Sequence, residues 1–401
     1  MIWNFLKLSV EGFVTGMAFF ALVSIVAYLN HAAPPPPQRI AVVSMVRNEA
    51  AILPRMIDSV RRTLPDAMFF FCDTGSTDGT LDIIKSHQVV NYTWENFEVS
   101  RNRCKDLALQ LLPAEYEYIL FMDADQEVEY ATSTAESIKY DANTIQIRSS
   151  DPELTHNSLL LLMRRNVTAQ CRYRLWTHEF LDCPSHLSYG YYNGLQLVHH
   201  RDGSSYDVKH VRDVTLLTAW IREVGTPDLL PRALFHLAQA YHAQYDAENA
   251  IATYKRHLEV ENYLNYRYQS RLHIAKLLLW MNRPYAEVRD AFLESLFEHD
   301  GLWRFESYYH LARLARQVGR VNECLLYSNA ALKAPPLDHS RAPLFIEPTV
   351  YYWKLEMERA HCLFLYGLKQ EAKSIYMELL ARPMMKNEEV RTWIENELKK
   401  I

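Results

Sequence analysis

The sequence lacks an excess of positive charge. Its 43 Lys and Arg residues are outnumbered by 48 Asp and Glu residues, which gives a formal net charge of −5. Proteins that bind nucleic acids through the phosphate backbone need a broad basic surface. Nucleic acid is therefore excluded from the predicted partners. With 49% hydrophobic and 23% charged residues over 401 positions, the chain has a globular composition and enough length for two or three cores.

Cysteine pairs at metal-binding spacing are also absent. The six cysteines are scattered and form no Cys-x-x-Cys motif: Cys72, Cys104, Cys171, Cys183, Cys324 and Cys362. Because zinc sites usually draw on such closely spaced pairs, the sequence predicts no zinc site. One or two disulfides remain open.

Long hydrophobic runs are scarce, and the clearest one covers residues 12–29 without a single charge. A helix of that length spans about 27 Å, close to the hydrocarbon thickness of a bilayer. We therefore predict a single N-terminal transmembrane helix within residues 1–30, followed by a Pro-rich linker at 31–38. A cleaved signal peptide and a buried core helix are the alternatives. The Asn-x-Thr sequons at Asn91 and Asn166 are consistent with a single-pass protein on the lumenal face of the Golgi or ER, if the source is eukaryotic.

From residue 39 onward, short apolar runs alternate with amphipathic segments. Strands are predicted at 40–46, 68–72, 89–92 and 118–122, and helices at 50–62, 80–86 and 100–112. Such alternation predicts an α/β domain with a largely parallel sheet that is covered on both faces. Between 144 and 200 the pattern is more strand-like and irregular.

After residue 210 the strand patterns stop and a helical repeat begins. Leu234, Leu237, Ala238 and Tyr241 follow the tetratricopeptide (TPR) spacing of large and small apolar residues. The spacing returns, less completely, after residues 308 and 360. We predict an all-α TPR-like solenoid over 211–401, because one helix pair cannot bury its own apolar face. A plain helical bundle is the alternative, and a homodimer remains open.

Two acidic motifs follow predicted buried strands. Asp73 opens the segment Asp-Thr-Gly-Ser-Thr-Asp-Gly-Thr, and a carboxylate at the carboxyl end of a parallel strand can accept hydrogen bonds from a ribose or nucleobase. The alternative is a helix-capping turn. Asp123 and Asp125, two residues apart after the next central strand, can hold a divalent cation that bridges to substrate phosphates.

Four motifs in order resemble the inverting family 2 glycosyltransferases of the GT-A fold. They are Ser-Met-Val-Arg-Asn-Glu at 44–49, the Asp73 segment, Phe-Glu-Val-Ser-Arg-Asn at 97–102, and Met-Asp-Ala-Asp at 122–125. The resemblance covers residues 39–213 and implies a Rossmann-like, nucleotide-diphospho-sugar transferase domain at 39–210. Continuation into TPR-like repeats is similar to a subset of the family that includes peptide glycosyltransferases.

The resemblance implies roles for the matching residues. Asp73 and Glu49 would contact the nucleoside of a UDP- or GDP-sugar donor. Arg101 would face the diphosphate, since a guanidinium suits bidentate phosphate contacts. Asp123 would contact the ribose or sugar phosphate, and Asp125 would ligate Mn²⁺ or Mg²⁺, with Asp123 as a second metal ligand. The family often has Glu where this chain has Gln126, which leaves that position without an implied role.

Further residues complete the expected site. Glu179 is the candidate catalytic base, because an inverting transferase must deprotonate its acceptor. A structural salt bridge is the alternative role for Glu179. Asp125 is the second candidate catalytic residue, because it would carry the metal ion. His199 and His200 are candidates for a third metal ligand. Lys209, Arg212 and Asp213 lie on the segment that could close over the phosphates.

The expected function is a metal-dependent hexosyl transfer from a nucleoside diphosphate sugar to a protein, peptide or glycan acceptor. The alternative is a membrane-anchored, non-catalytic TPR scaffold with an inactive transferase domain.

Overall fold

The computed structural model describes residues 39–130, 137–150, 157–204, 208–298, 303–333, 345–382 and 388–401. The predicted anchor and the Pro-rich linker lie outside these residues. Within them, no helix is long and apolar enough to cross a bilayer. The longest of those helices, Leu264–Trp280, has 17 residues and several charges, whereas a span needs about 20 apolar residues. The prediction of a single-pass membrane protein in the Golgi or ER is therefore corrected, because no described helix supports it.

The first part of the chain forms a mixed sheet between helices. Eight strands build the sheet in the order β3-β2-β1-β4-β7-β6-β10-β5, and β8 and β9 form a separate hairpin. The strands are β1 Ile40–Val46, β2 Met68–Asp73, β3 Gln88–Asn91, β4 Tyr118–Phe121, β5 Gln126–Tyr130, β6 Ala142–Ser149, β7 Asn157–Arg164, β8 Arg172–Arg174, β9 Phe180–Asp182 and β10 Tyr189–His199. The helices are α1 Leu53–Thr63, α2 Thr80–Ile84, α3 Phe97–Leu111 and α4 Arg165–Thr168.

One half of the sheet is wholly parallel, and the other half is mixed, with β6 and β10 parallel to each other. Strands β3, β2, β1 and β4 run parallel to one another, as predicted. In the other half, β7 is antiparallel to both of its neighbours and β5 is antiparallel to β10. The central strand β1 is buried on both faces: Val42 packs in a core with α1, and Val43 packs in a second core with α3. Helices on both faces explain why β1 is a continuous apolar run.

The second part of the chain is all helical. Its helices are α5 Lys209–Glu223, α6 Leu230–Ala243, α7 Ala247–Val260, α8 Leu264–Trp280, α9 Tyr285–Leu296, α10 Phe305–Gln317, α11 Val321–Lys333, a π-helical turn Val350–Lys354, α12 Leu355–Tyr366, α13 Lys369–Ala381 and α14 Glu388–Leu398. Ala238 and Ala250 are fully buried where α6 and α7 cross, as the repeat spacing predicts. Helix α5 begins at Lys209, so the proposed domain boundary at 210 falls in its first turn.

All six cysteines are paired. The disulfides are Cys72–Cys104, Cys171–Cys183 and Cys324–Cys362. The first ties the end of β2 to α3, directly before Asp73 in the chain. Sequence spacing did not indicate these pairs, because each joins elements that meet only in the folded chain.

Candidate donor-sugar site

A cavity of ≈ 350 Å³ lies at the carboxyl ends of β1 and β2. It is lined by Met45, Val46, Arg47, Asn48, Glu49, Thr74, Trp94, Phe97, Ser204, Val208 and Arg212. Trp94 meets Phe97 edge-on with ring centroids 5.7 Å apart, and the Arg212 guanidinium lies 4.7 Å from the Phe97 ring centroid. Aromatic faces beside a cation suit a planar, anionic ligand such as a nucleotide.

Polar contacts join the two loops that form the cavity floor. Asn48, at φ 56, donates its backbone N–H to Ser76 Oγ at 2.9 Å, and its side-chain oxygen accepts the Thr77 N–H at 2.7 Å. The Glu49 N–H donates to Thr80 Oγ1 at 2.8 Å. Asn tolerates the left-handed conformation better than most residues because its side chain bonds locally. The Asn-Glu and Ser-Thr motifs therefore form one linked surface.

Asp73 organises the second of these loops. Its carboxylate accepts the N–H groups of Gly75 and Ser76 at 3.0 and 3.1 Å, and the residue is only 3% exposed. Gly75, at φ 104, supplies the turn. In this geometry the Asp73 side chain stabilises a turn, as the alternative to a nucleoside contact requires. The neighbouring Thr74 lines the cavity. A nucleoside contact by Asp73 stays a prediction.

Helix α3 carries Arg101 into the site. Its first turn is capped by the Asn96 side chain, which accepts the Val99 N–H at 2.9 Å. Asn102 fixes the next turn by exchanging two hydrogen bonds with the Tyr173 backbone, at 2.8 and 2.9 Å. Thus Arg101 points to the ligand edge of the sheet while Asn102 anchors the helix, which explains the adjacent Arg-Asn pair.

Arg101 connects two of the predicted acidic residues. One terminal nitrogen donates to Asp123 at 2.9 Å, and Nε donates to Glu179. Burial alone would raise the pKa of the Asp123 carboxyl, but the Arg101 guanidinium outweighs burial and holds that pKa below its ordinary value. Asp123 is therefore an anion in this site, and Glu179 is already held by a cation.

Asp125 and His199 meet at the same edge of the sheet. His199 Nε2 lies 2.9 Å from an Asp125 carboxylate oxygen. Burial lowers the pKa of the His199 imidazole, but hydrogen bonding to Asp125 outweighs this and leaves that pKa raised. His200 points elsewhere, with Nε2 2.7 Å from Glu127, because successive side chains of an extended segment alternate in direction. Of the two candidate histidines, His199 is the one that contacts the predicted metal-binding pair.

Glu49 adds a third carboxylate to this edge. It accepts hydrogen bonds from the Ser204 N–H at 3.2 Å and from Ser204 Oγ at 3.1 Å. Its pKa is raised, first by burial and also by the nearby negative charges of Asp125 and Asp123. A cation bound at this edge would reduce the electrostatic repulsion among the carboxylates.

Three side chains at this edge are of types that bind divalent transition metals. Asp123 and Asp125 offer carboxylate oxygens and His199 offers an imidazole nitrogen, a combination that Mn²⁺ accepts. Among the described residues, the one group of three whose ligand atoms all lie within 4.8 Å of one another is instead Cys324, Glu358 and Cys362. The two cysteines of that group form a disulfide with each other, so it supplies no thiolate ligands.

Residues 41–180 match the model of "Glycosyl transferase family 2". The chain therefore contains a family 2 glycosyltransferase domain. No curated protein matches the chain.

Several solved structures are similar to parts of this chain. One is YrrB, described as a TPR protein with an unusual peptide-binding site, at 16% identity and TM-score 0.32, covering 42% of this chain and 76% of YrrB. Another is MamA from Desulfovibrio magneticus RS-1, at 12% identity and TM-score 0.33, covering 44% and 88%. A third is a tetratricopeptide repeat protein from Parabacteroides merdae, at 15% identity and TM-score 0.35, covering 49% and 70%. In the chain, a helical region follows the family 2 domain.

The family 2 domain joins this helical region through Asp213 on α5. The buried Asp213 carboxylate accepts from Thr177 Oγ1 at 2.7 Å and from Lys209 Nζ at 2.9 Å, and lies 3.1 Å from His178 Nε2. The His178 ring stacks on that of His236 from α6, with centroids 4.0 Å apart. The segment that carries Glu179 is therefore positioned by the helical region.

Sequence analysis missed three residues of the family 2 site. Trp94 lies on a loop after β3, where an isolated aromatic residue gives no periodic signal. Ser204 reaches Glu49 across 155 positions of sequence. Gln126 is buried and accepts the Asp123 N–H at 3.0 Å, so it shapes the acidic turn. The Gln at this position could have been noticed as a turn residue, since an amide oxygen accepts an N–H as well as a carboxylate does.

Proposed function

We propose that this protein is a metal-dependent, inverting hexosyltransferase. It transfers a sugar from a UDP- or GDP-sugar to a protein, peptide or glycan acceptor. The observation that carries the proposal is the Asp125–His199 contact at 2.9 Å, at the sheet edge where Arg101 also holds Asp123 at 2.9 Å. The acidic edge suits the metal ion of a metal–nucleoside diphosphate complex, and the adjacent cavity with aromatic walls suits its nucleoside.

The cavity would bind the nucleoside, and two arginines would bind the diphosphate. Trp94 and Phe97 offer stacking faces for a base, and the Asn48–Glu49 loop offers polar groups for the base or ribose. Arg212 borders the same cavity, and its Nε–H has no hydrogen-bond partner within the described ranges. This unpaired donor and the Arg101 guanidinium would fix the two phosphates.

Asp125, Asp123 and His199 would hold the metal ion. When bound, the ion neutralises the diphosphate as the glycosidic bond breaks. Glu49 lies close enough to Asp125 and Asp123 for their charges to raise its pKa. Its own carboxylate would add negative charge to the metal site and increase the affinity for a divalent cation.

Glu179 would accept the proton of the attacking acceptor group. Its carboxylate accepts a hydrogen bond from Arg101 Nε while no donor is bound, so it is not free to face an acceptor. A donor diphosphate would compete for the Arg101 guanidinium and release Glu179 for proton transfer. In this scheme, donor binding activates the base.

The proposal is tested by a donor-hydrolysis screen on the full chain. UDP- and GDP-sugars are incubated with Mn²⁺, and nucleotide release is measured for the wild type and for Asp125→Asn. Asp82→Asn on the exposed face of α2 serves as the matched control. We expect metal-dependent release from one donor that the control keeps and Asp125→Asn loses. Absence of donor binding at millimolar concentration would contradict the proposal and favour the scaffold alternative.

A further inference from the structure

A segment of the chain itself lies against helices α6, α8 and α10. Phe345 and Glu347, which precede the π-helical turn, contact residues of these three helices. The Phe345 ring packs near Phe235 of α6 and Tyr266 of α8, with centroids 5.6 and 6.0 Å apart. We call residues 345–347 the plug.

Side chains of the helical region form hydrogen bonds with the backbone of the plug. Gln269 Nε2 and an Arg304 terminal nitrogen donate to the Phe345 carbonyl at 3.3 and 3.4 Å. The Glu306 carboxylate accepts the Glu347 N–H at 3.1 Å. Main-chain contacts of this kind give affinity without sequence preference.

The side chains of the plug supply the specificity. The Glu347 carboxylate pairs with Lys276 of α8, and Phe345 occupies the aromatic position beside Phe235 and Tyr266. The groove therefore fits an aromatic residue, any residue, and then a carboxylate.

Helix α6, which contacts the plug, also contacts the family 2 domain beside Glu179. Arg232 of α6 donates to the His178 carbonyl at 3.1 and 3.0 Å, and His236 stacks on His178. Arg232 also lies close enough to Tyr266 to lower that phenol's pKa, although burial is the larger influence and raises it. Helix α6 thus contacts both the residue before Glu179 and the plug.

The plug is held in a conformation that an independent peptide would not need. Phe345 has φ 56, a left-handed conformation that non-glycine residues rarely adopt, and its side chain is 36% exposed. A ligand that does not need this strained conformation would avoid its energetic cost, which favours exchange of the plug for a ligand.

We propose that this groove is the binding site for an acceptor polypeptide containing an aromatic-x-acidic sequence, and that the plug occupies it as an internal competitor. That the bound polypeptide is the acceptor substrate rests on the proposed function, whereas the existence of the binding site does not.

The test uses a fluorescein-labelled peptide, Phe-Ile-Glu-Pro-Thr, which copies residues 345–349. Its anisotropy is titrated with full-length wild type and with Phe345→Ala/Glu347→Gln, in the absence of any donor. We expect the double variant to bind at least tenfold more tightly than the wild type. Adding Lys276→Gln to it should weaken binding about tenfold. A peptide with Gln in place of Glu should bind these two variants with equal affinity.

The control is Tyr245→Ala/Glu248→Gln, on the exposed turn between α6 and α7, which should bind as the wild type does. Equal affinity of wild type and the Phe345→Ala/Glu347→Gln variant, both folded by thermal melting, overturns the proposal. If that variant does not fold, amide hydrogen exchange of the wild type decides. Saturating peptide should speed exchange at Glu347, and unchanged exchange rejects the proposal. Because no donor is present, failure here is separate from failure of donor hydrolysis.

Discussion

Replacing Asp213 by Ala should destabilise the protein strongly, because the Asp213 carboxylate is fully buried and contacts three hydrogen-bonding side chains. Thr177 Oγ1, His178 Nε2 and Lys209 Nζ lie at 2.7, 3.1 and 2.9 Å. Hydrogen bonds to a charged group contribute roughly 1.5–3 kcal/mol each. The His178 and Lys209 side chains are 24% and 34% exposed, so water partly replaces the lost partner. The expected loss in free energy of unfolding is therefore about 3–5 kcal/mol.

Urea denaturation of wild type and Asp213→Ala measures this loss. Asp228→Ala is the matched control, since that carboxylate pairs with Arg174 at 2.7 Å but is 56% exposed, and should cost about 0–1 kcal/mol. A loss below about 1 kcal/mol for Asp213→Ala would refute the reasoning that this carboxylate joins the two parts of the chain.

Acid should remove the same stabilisation. Burial raises the pKa of Asp213, but His178 and Lys209 outweigh burial and hold it well below its ordinary 3.8. A carboxyl with a lowered folded-state pKa contributes its full stability above the unfolded value and loses it as pH falls towards the folded value. The stability difference between wild type and Asp213→Asn should therefore be constant above about pH 5 and shrink below 3.8.

Three further substitutions test the donor site and its support. Arg101→Lys removes the planar contact to two carboxylates and should lower kcat/KM for donor hydrolysis by about 10–100-fold, with little change in melting temperature. Trp94→Ala should weaken nucleotide binding in calorimetry by about 5–100-fold through lost stacking, whereas Trp280→Ala, on the exposed end of α8, should not. Serine at both Cys72 and Cys104, which close a loop of 32 residues, should lower the free energy of unfolding by about 3–4 kcal/mol; equal stability of the variant and the wild type would contradict this.

The sequence predicted the parallel half of the sheet well because its central strands are largely apolar runs. Residues 40–46 were predicted as a strand, and β1 covers Ile40–Val46. The mixed half was not resolved, since pairing of β7 and β10 depends on contacts between distant segments. A family 2 domain with following TPR-like repeats was predicted correctly from motifs and spacing.

The candidate site was predicted in its residues but not in their contacts. Strand-end carboxylates such as Asp123 can be identified because parallel strands end at one edge of a sheet. Sequence could not choose between His199 and His200, since adjacent residues on a strand face opposite sides and the register was unknown. It also could not show that Arg101 holds Glu179, a contact across 78 positions.

The plug also has a consequence for how the helical region unfolds. A solenoid normally has contacts between neighbouring repeats only, so it can fray from one end. Phe345 contacts α6 and α8, and Glu347 contacts α8 and α10, although these helices lie far earlier in the chain. Through these contacts the plug connects three successive repeats to one another. We expect these repeats to melt in a single cooperative step, and to separate into successive steps once the plug is released.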